Sequence, residues 1–186
     1  MSNLSSSSDK NAIVSLIKDW IIPIVAAVII SLLINKFLLF KVYIPSESMY
    51  PELTEGDHLF VTKIYNYSKI KRGDILVFDF EEGKKNNVKE ELLIKRVIGL
   101  PGENVEVKND GKVFINGEEL NEPYVKNPSN QTGSFTIPKG KYLFLGDNRA
   151  NSNDARSWQN PYIDEKDIRG KARVRVYPFN RLGILK

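Results

Sequence analysis

The chain has 186 residues, of which 41% are hydrophobic and 27% charged, with a formal net charge of +4. That is too apolar for a wholly disordered chain and too charged for a multi-span membrane protein, and the length suits one main domain with a small insertion. The absence of cysteine excludes thiol nucleophiles, disulfides and Cys-ligated zinc, and a single histidine, His58, excludes a His-rich metal site and leaves little room for a Ser-His-Asp triad.

Residues 1–19 read as a polar tail, disordered over the Ser-rich stretch MSNLSSSSDKN at 1–11. The run from Trp20 to Phe40, WIIPIVAAVIISLLINKFLLF, is 21 residues long. At helical rise it extends ~31 Å, the thickness of a bilayer's hydrocarbon core. Pro23 falls in the first turn, where a missing N–H costs least, and Trp20 and Tyr43 flank the run as interfacial aromatics do. Lys36 lies near enough to the far end to snorkel to the headgroups. A cleaved leader has a shorter apolar region and a small-x-small site after it, whereas KVYIPSES follows here, so the run is a permanent anchor. Lys10 and Lys18 on one side balance Lys36 and Lys41 on the other, and charge does not orient it.

From residue 41 the pattern changes to short alternating segments. HLFVTKI (58–64), DILVFDF (74–80), LLIKRVIGL (92–100), NVEVK (104–108), KVFING (112–117), KYLFLGD (141–147) and ARVRVYPF (172–179) are predicted strands. NDG at 109–111 marks a hairpin. Residues 81–91 read as a charged, solvated loop and 121–140 as a long irregular connection. The body over 41–186 is therefore expected to be mainly antiparallel β, with about 103–140 forming a small inserted subdomain.

Three segments carry candidate chemistry. IPSESMYP (44–51) places two serines between prolines that restrict the backbone. A nucleophilic serine needs a base in hydrogen-bond reach and donors for an oxyanion, and a Ser-x-Ser pair alone is more often a turn. In LLIKRVIGLPG (92–102), a strand would put Lys95 on one face with Leu93 and Val97 and turn Arg96 the other way. An ordinary lysine is neutral only ~0.04% of the time at pH 7, but burial lowering its pKa by ~3 units makes it a usable base. The plainer reading is a snorkelling edge lysine, and Lys63 is a rival that pattern leaves open. GDNRANSNDARSW (146–158) gathers Asp147, Asn148, Arg149, Ser152, Asp154 and Arg156, as either a polar turn or a rigid floor for the other two segments.

One span followed in order by PSESMYP, KRVIGLPG, GDNRANSNDARSW and GKARVRVYPFNRLG resembles the bacterial type I signal peptidases, from about residue 20 to the C-terminus. The resemblance implies an anchored, mainly β serine endopeptidase of the Ser-Lys kind that removes signal peptides after small-x-small sites. It implies Ser48 as nucleophile and Lys95, not Lys63, as general base. Ser46 would add its hydroxyl to an oxyanion hole beside the Ser48 N–H, and Ser152 would orient the Lys95 amine. Asp147, Asp154 and Arg156 would be structural. Glu47 and Ala155 depart from the commonest family pattern, where a small or variable residue and a serine stand.

The resemblance also implies a cytoplasmic N-terminus, a body outside the membrane, and a monomer that needs neither metal nor organic cofactor. The partners are then exported preproteins and the lipid bilayer, with no nucleic acid. Ser48 is eight residues beyond Phe40, a reach of ~26–29 Å at most, so the nucleophile is tethered near the anchor. Ile44, Met49 and the 92–98 strand are candidate walls for the substrate's small side chains. Two other readings remain: a relative with a specialised substrate such as a pilin, and a non-catalytic anchored β-domain that binds exported proteins.

Overall fold

The computed structural model describes residues 14–80 and 91–185, and the expectations for the tail at 1–13 and the loop at 81–90 lie outside them. By compactness the chain divides into two units, Met1–Leu39 and Phe40–Lys186.

The first unit carries one apolar helical segment, Val14–Phe37, long enough to cross a membrane. It begins earlier and ends sooner than the 20–40 run predicted, because Leu39 and Phe40 already open a strand. Pro23 stands in the first turn of the α-helical part, as expected, although helical turns precede it. The α-helical part, α1 (Ile22–Phe37), continues from a π-helical turn at Ile17–Ile21, where Ile22 N–H reaches back to Ile17 O. Pro23 has no N–H to give to the preceding turn, and the wider turn ahead of it accommodates the lost bond. Asn35 satisfies its side chain within the helix by donating to Ser31 O at 3.1 Å.

The second unit is mainly β, as predicted. Its larger sheet runs in the spatial order β1 (Leu39–Tyr43), β2 (His58–Lys63), β11 (Ile168–Tyr177), β3 (Ile75–Phe80), β4 (Glu91–Gly99), β9 (Lys141–Leu145) and β10 (Tyr162–Asp164), and β12 (Gly183–Ile184) also pairs with β11. The pairs whose register is defined are all antiparallel. A smaller sheet, in the order β7 (Glu118–Glu119), β6 (Val113–Ile115), β5 (Asn104–Val107) and β8 (Gly133–Thr136), falls within the stretch read as an insertion. The NDG turn joins β5 to β6. Gly111 has φ +83°, and Asp110 accepts from Lys112 N–H at 3.0 Å, a conformation that glycine adopts without steric cost.

Among the described residues five strands were not predicted: β1, β7, β8, β10 and β12. Each has five residues or fewer. Such runs hold too few alternations to stand out and are strands only because a longer neighbour supplies the ladder.

The larger sheet is covered on both faces, which is why every residue of β3 is buried. One core joins the two sheets: Val105, Val113 and Phe135 pack with Val97, Phe78, Phe144 and Trp158. The other lies on the opposite face and joins Ile44, Met49 and Leu53 to Leu59, Val61, Ile75, Val77 and Ile94. Full burial of a side chain such as Met49 contributes roughly 1.5–3 kcal/mol. Ile44 and Met49 are 1% and 0% exposed, so they anchor the segment between them to the core and are not open pocket walls, as their sequence positions had led us to expect.

Candidate active site

The loop carrying the two serines is tied at both ends. Ile44 N–H bonds to Asp57 O at 2.9 Å and Gly56 N–H to Ile44 O at 3.0 Å, which closes the loop at its base. The buried Asp57 carboxylate accepts from Thr54 N–H at 3.0 Å and from Arg181 Nη1 at 3.1 Å. Arg175 and Arg181 in turn donate to the backbone carbonyl of Glu52, at 2.6 and 3.4 Å. The C-terminal segment therefore clamps the serine loop, a contribution that neither sequence motif discloses.

Lys95 reaches this loop from the middle of β4. Its Nζ lies 2.8 Å from Ser48 Oγ and 3.3 Å from Ile94 O. Lys95 is 4% exposed and Ser48 9%, so the pair sits where a charged amine is disfavoured by desolvation. Lys63 ends β2 opposite Gly170 and pairs there within the sheet, and it is Lys95 that meets the serine. Ser46 is exposed, with its Oγ 3.4 Å from Ser48 Oγ, at the long end of hydrogen-bond range.

Lys95 and Arg96 point to opposite faces, as strand geometry requires. Leu76 is the cross-strand partner of Lys95 in β3. Arg96 forms a bidentate pair with Asp147, Nε to Oδ1 at 2.8 Å and Nη2 to Oδ2 at 2.6 Å, and adds a bond to Gly73 O at 2.8 Å. Its guanidinium also lies 4.1 Å from the Tyr124 ring centre. Burial opposes the charge on Arg96, but the hydrogen bond and charge of Asp147 outweigh it and raise the pKa. Burial likewise pushes the Asp147 carboxyl up, against the pull of Arg96. Tyr124 is driven well above its ordinary value by burial and then by the charge of Glu122, to which its hydroxyl donates at 2.8 Å.

The segment after β9 forms the floor. Arg96 pairs with Leu145 across β4 and β9, so one step along that register sets Gly146 beside Lys95. A Cβ at Gly146 would stand 2.2 Å from Ser152 Oγ and 2.5 Å from Ser48 O, so glycine is needed there for close approach. Asp154 accepts from Gly146 N–H at 3.0 Å and from Arg156 Nε and Nη2, both at 2.8 Å. Arg149 donates to Gly146 O at 2.9 Å and forks onto Glu122 at 2.6 and 3.0 Å. Asp147, Asp154 and Arg156 thus form the buried polar scaffold under the serine loop.

Ser152 departs from expectation. Its Oγ is buried and has no hydrogen-bond partner among the described residues, so the anticipated bond to the Lys95 amine is not made. The hydroxyl instead occupies the space that a side chain at Gly146 would need, a space it shares with the Ser48 carbonyl. Ala155 is buried in the core, a place where a methyl group costs nothing. Among the described residues no group of three His, Asp or Glu side chains is placed to hold a metal.

The chain is similar to known proteins over most of its length. The family model described as signal peptidase, peptidase S26 matches residues 17–177. A signal peptidase I of Leptolyngbya laminosa is 46% identical over 163 residues, covering 86% of this chain and 79% of its own. Signal peptidase I T of Bacillus subtilis (strain 168) is 39% identical over 176 residues, covering 88% and 87%. A solved structure of a signal peptidase I from Enterococcus faecalis V583 aligns with 55% of this chain and 96% of its own at 31% identity, with a TM-score of 0.45.

Proposed function

The chain belongs to the signal peptidase family, peptidase S26, and is a serine endopeptidase that cleaves signal peptides; from that premise we propose that Ser48 and Lys95 perform the reaction as a dyad on precursors cut after a small-x-small site. The observation that carries this reading is the 2.8 Å contact between Lys95 Nζ and Ser48 Oγ, two buried residues.

The neutral Lys95 amine takes the Ser48 proton as Oγ attacks the scissile carbonyl. The oxyanion that forms is met by the Ser48 N–H and the Ser46 hydroxyl. As the C–N bond breaks, the Lys95 ammonium returns the proton to the leaving amine, and the mature protein departs with a free N-terminus. Lys95, neutral again, deprotonates a water that attacks the acyl ester, and Ser48 regains its hydrogen as the signal peptide leaves with a carboxylate. Ser46 is exposed, where an incoming peptide meets it first. Lys63 has no part in these steps.

The apolar helix Val14–Phe37 serves as the anchor, with the N-terminus in the cytoplasm and the β body outside. Precursor and enzyme then share one thin layer, which raises their effective concentration without new contacts. The catalytic unit acts as a monomer.

Purified full-length protein in detergent tests this directly. It is expected to cut an exported precursor after a small-x-small site, with Ser48→Ala and Lys95→Ala each abolishing the cut while the circular dichroism spectrum is kept. Near-normal turnover in Lys95→Ala would overturn the base assignment.

A further inference from the structure

The nucleophile loop is held from below by a residue that takes no part in the chemistry above. Asn148 is 4% exposed. Its backbone N–H donates to Ser48 O at 3.1 Å, and its side-chain Nδ2 donates to Glu47 O at 3.1 Å. Glu47 O also receives Tyr50 N–H at 3.0 Å. Both carbonyls flanking the nucleophile's peptide links are therefore drawn toward the floor. The Glu47–Ser48 link is not among the cis peptides, and in a trans peptide C=O and N–H point in opposite directions. Pulling the Glu47 carbonyl down onto Asn148 consequently turns the Ser48 N–H up, away from the floor. Among the described residues that N–H is given no acceptor.

Asn148 is itself fixed by the long connection before β8. Asn127, exposed in that connection, donates its Nδ2 to Asn148 Oδ1 at 3.1 Å, and its carbonyl receives Ala150 N–H at 3.1 Å. The bond from Asn127 decides which way the Asn148 amide faces, because an oxygen turned to Asn127 leaves only the NH2 for Glu47. Glu122, five residues earlier, grips Arg149 beside it.

We infer that Asn148 is a positioning residue that aims the Ser48 N–H at the oxyanion, and that Asn127 sets its orientation. The connection around Asn127 is thus part of the apparatus that prepares the transition state, although it contributes no group to the reacting atoms. Positioning of this kind acts on the charge that develops at the carbonyl oxygen and not on ground-state binding.

The inference rests on Ser48 being the nucleophile, and Ser48→Ala run in parallel separates the two claims. Residual cutting by Ser48→Ala would remove the nucleophile assignment, whereas a dead Ser48→Ala beside a fully active Asn148→Ala would remove only the role of Asn148. With full-length protein in detergent, Asn148→Ala is expected to lower kcat by about 10- to 100-fold with KM within about threefold. Asn127→Ala, a surface change that keeps the fold, is expected to lower kcat by about 3- to 10-fold.

A peptide aldehyde ending in alanine forms a hemiacetal with Ser48 whose oxygen occupies the oxyanion position, and the matching peptide alcohol does not. Both variants should lose aldehyde affinity by the same factor as kcat/KM while alcohol affinity stays within about twofold. The acid limb of the pH profile should keep its midpoint, since Lys95 is untouched. Equal losses for aldehyde and alcohol, a rise confined to KM, or a shifted acid limb would each overturn the inference.

Discussion

Arg96 and Asp147 face each other through two parallel hydrogen bonds of 2.8 and 2.6 Å, with side chains only 3% and 0% exposed. Arg96 is the residue next to Lys95 on β4, and Asp147 the residue next to Gly146 at the end of β9. The pair therefore locks the base-bearing strand to the floor on the face away from Ser48. A fork of this kind adds direction as well as attraction.

Breaking this pair from one side leaves a buried charge without its partner. Arg96→Met is expected to cost about 3–5 kcal/mol, read from denaturant unfolding of the full-length protein in detergent. Arg96→Met combined with Asp147→Leu should recover most of that loss, because both desolvated charges are then gone. A double variant as unstable as the single would show that the bond to Gly73 and the stacking on the Tyr124 ring matter more than the ion pair.

Gly146→Ala is expected to abolish turnover with a smaller effect on stability, measured by precursor cleavage beside thermal melting. The added methyl meets two atoms, Ser152 Oγ and the Ser48 carbonyl. Removing the first by adding Ser152→Ala should not restore activity, since the second is backbone. Ser152→Ala alone should leave stability unchanged or raise it by about 1 kcal/mol, because the hydroxyl it deletes is buried and unpaired.

Activity is expected to fall as pH is lowered, since a base works only without its proton and Lys95 Nζ is the group placed to receive one from Ser48. Initial rates of precursor cutting should drop by about tenfold per pH unit on the acid limb. A profile that stays flat to about pH 5 with the fold intact would exclude a neutral lysine as base.

A separate pH effect belongs to Glu103, which ties the small sheet to the large one. Burial pushes its carboxyl up, but the hydrogen bond from Arg72, the Leu100 N–H and the Arg72 charge together bring it below the ordinary range. The bonds are 2.7 and 2.8 Å to Arg72 and 2.8 Å to Leu100 N–H. A pKa depressed by folding gives stability that is present above the unfolded value, ~4.3, and is lost as pH falls through the folded one. Glu103→Gln should melt lower than the parent at pH 7, and the two melting curves should converge in acid.

Much of this was legible from residue order alone. The Val-, Ile-, Leu- and Phe-rich runs in 58–64, 74–80 and 92–100 located β2, β3 and β4, because each is long enough to stand out between turn signals, even in β3, where every residue is buried. Tyr162–Asp164 and Gly133–Thr136 escaped notice because strands of this length are defined by the neighbour that completes their ladder. The start of the apolar helix was misplaced because the continuous apolar run opens at Trp20, yet helical turns before it, π-helical at Ile17–Ile21, carry the helix back to Val14. The floor motif named its members but not their pairings. Arg149 met Glu122 and Asn148 met Asn127, partners drawn from a connection whose prolines and glycines carry no periodic signal.

The amino-acid sequence by itself determined the kinds of chemistry within reach: no thiol, one imidazole, an apolar helix, and a Ser-x-Ser and a Lys-Arg on separate segments. These follow from composition and local period, which are properties of neighbours along the chain. Only the tertiary structure decided that Lys95 and not Lys63 meets Ser48, that Ser152 Oγ stands unpaired among the described residues, and that Ile44 and Met49 are buried anchors. Those outcomes depend on which strands lie side by side and in what register, and register is set by the summed packing of two cores rather than by any one motif.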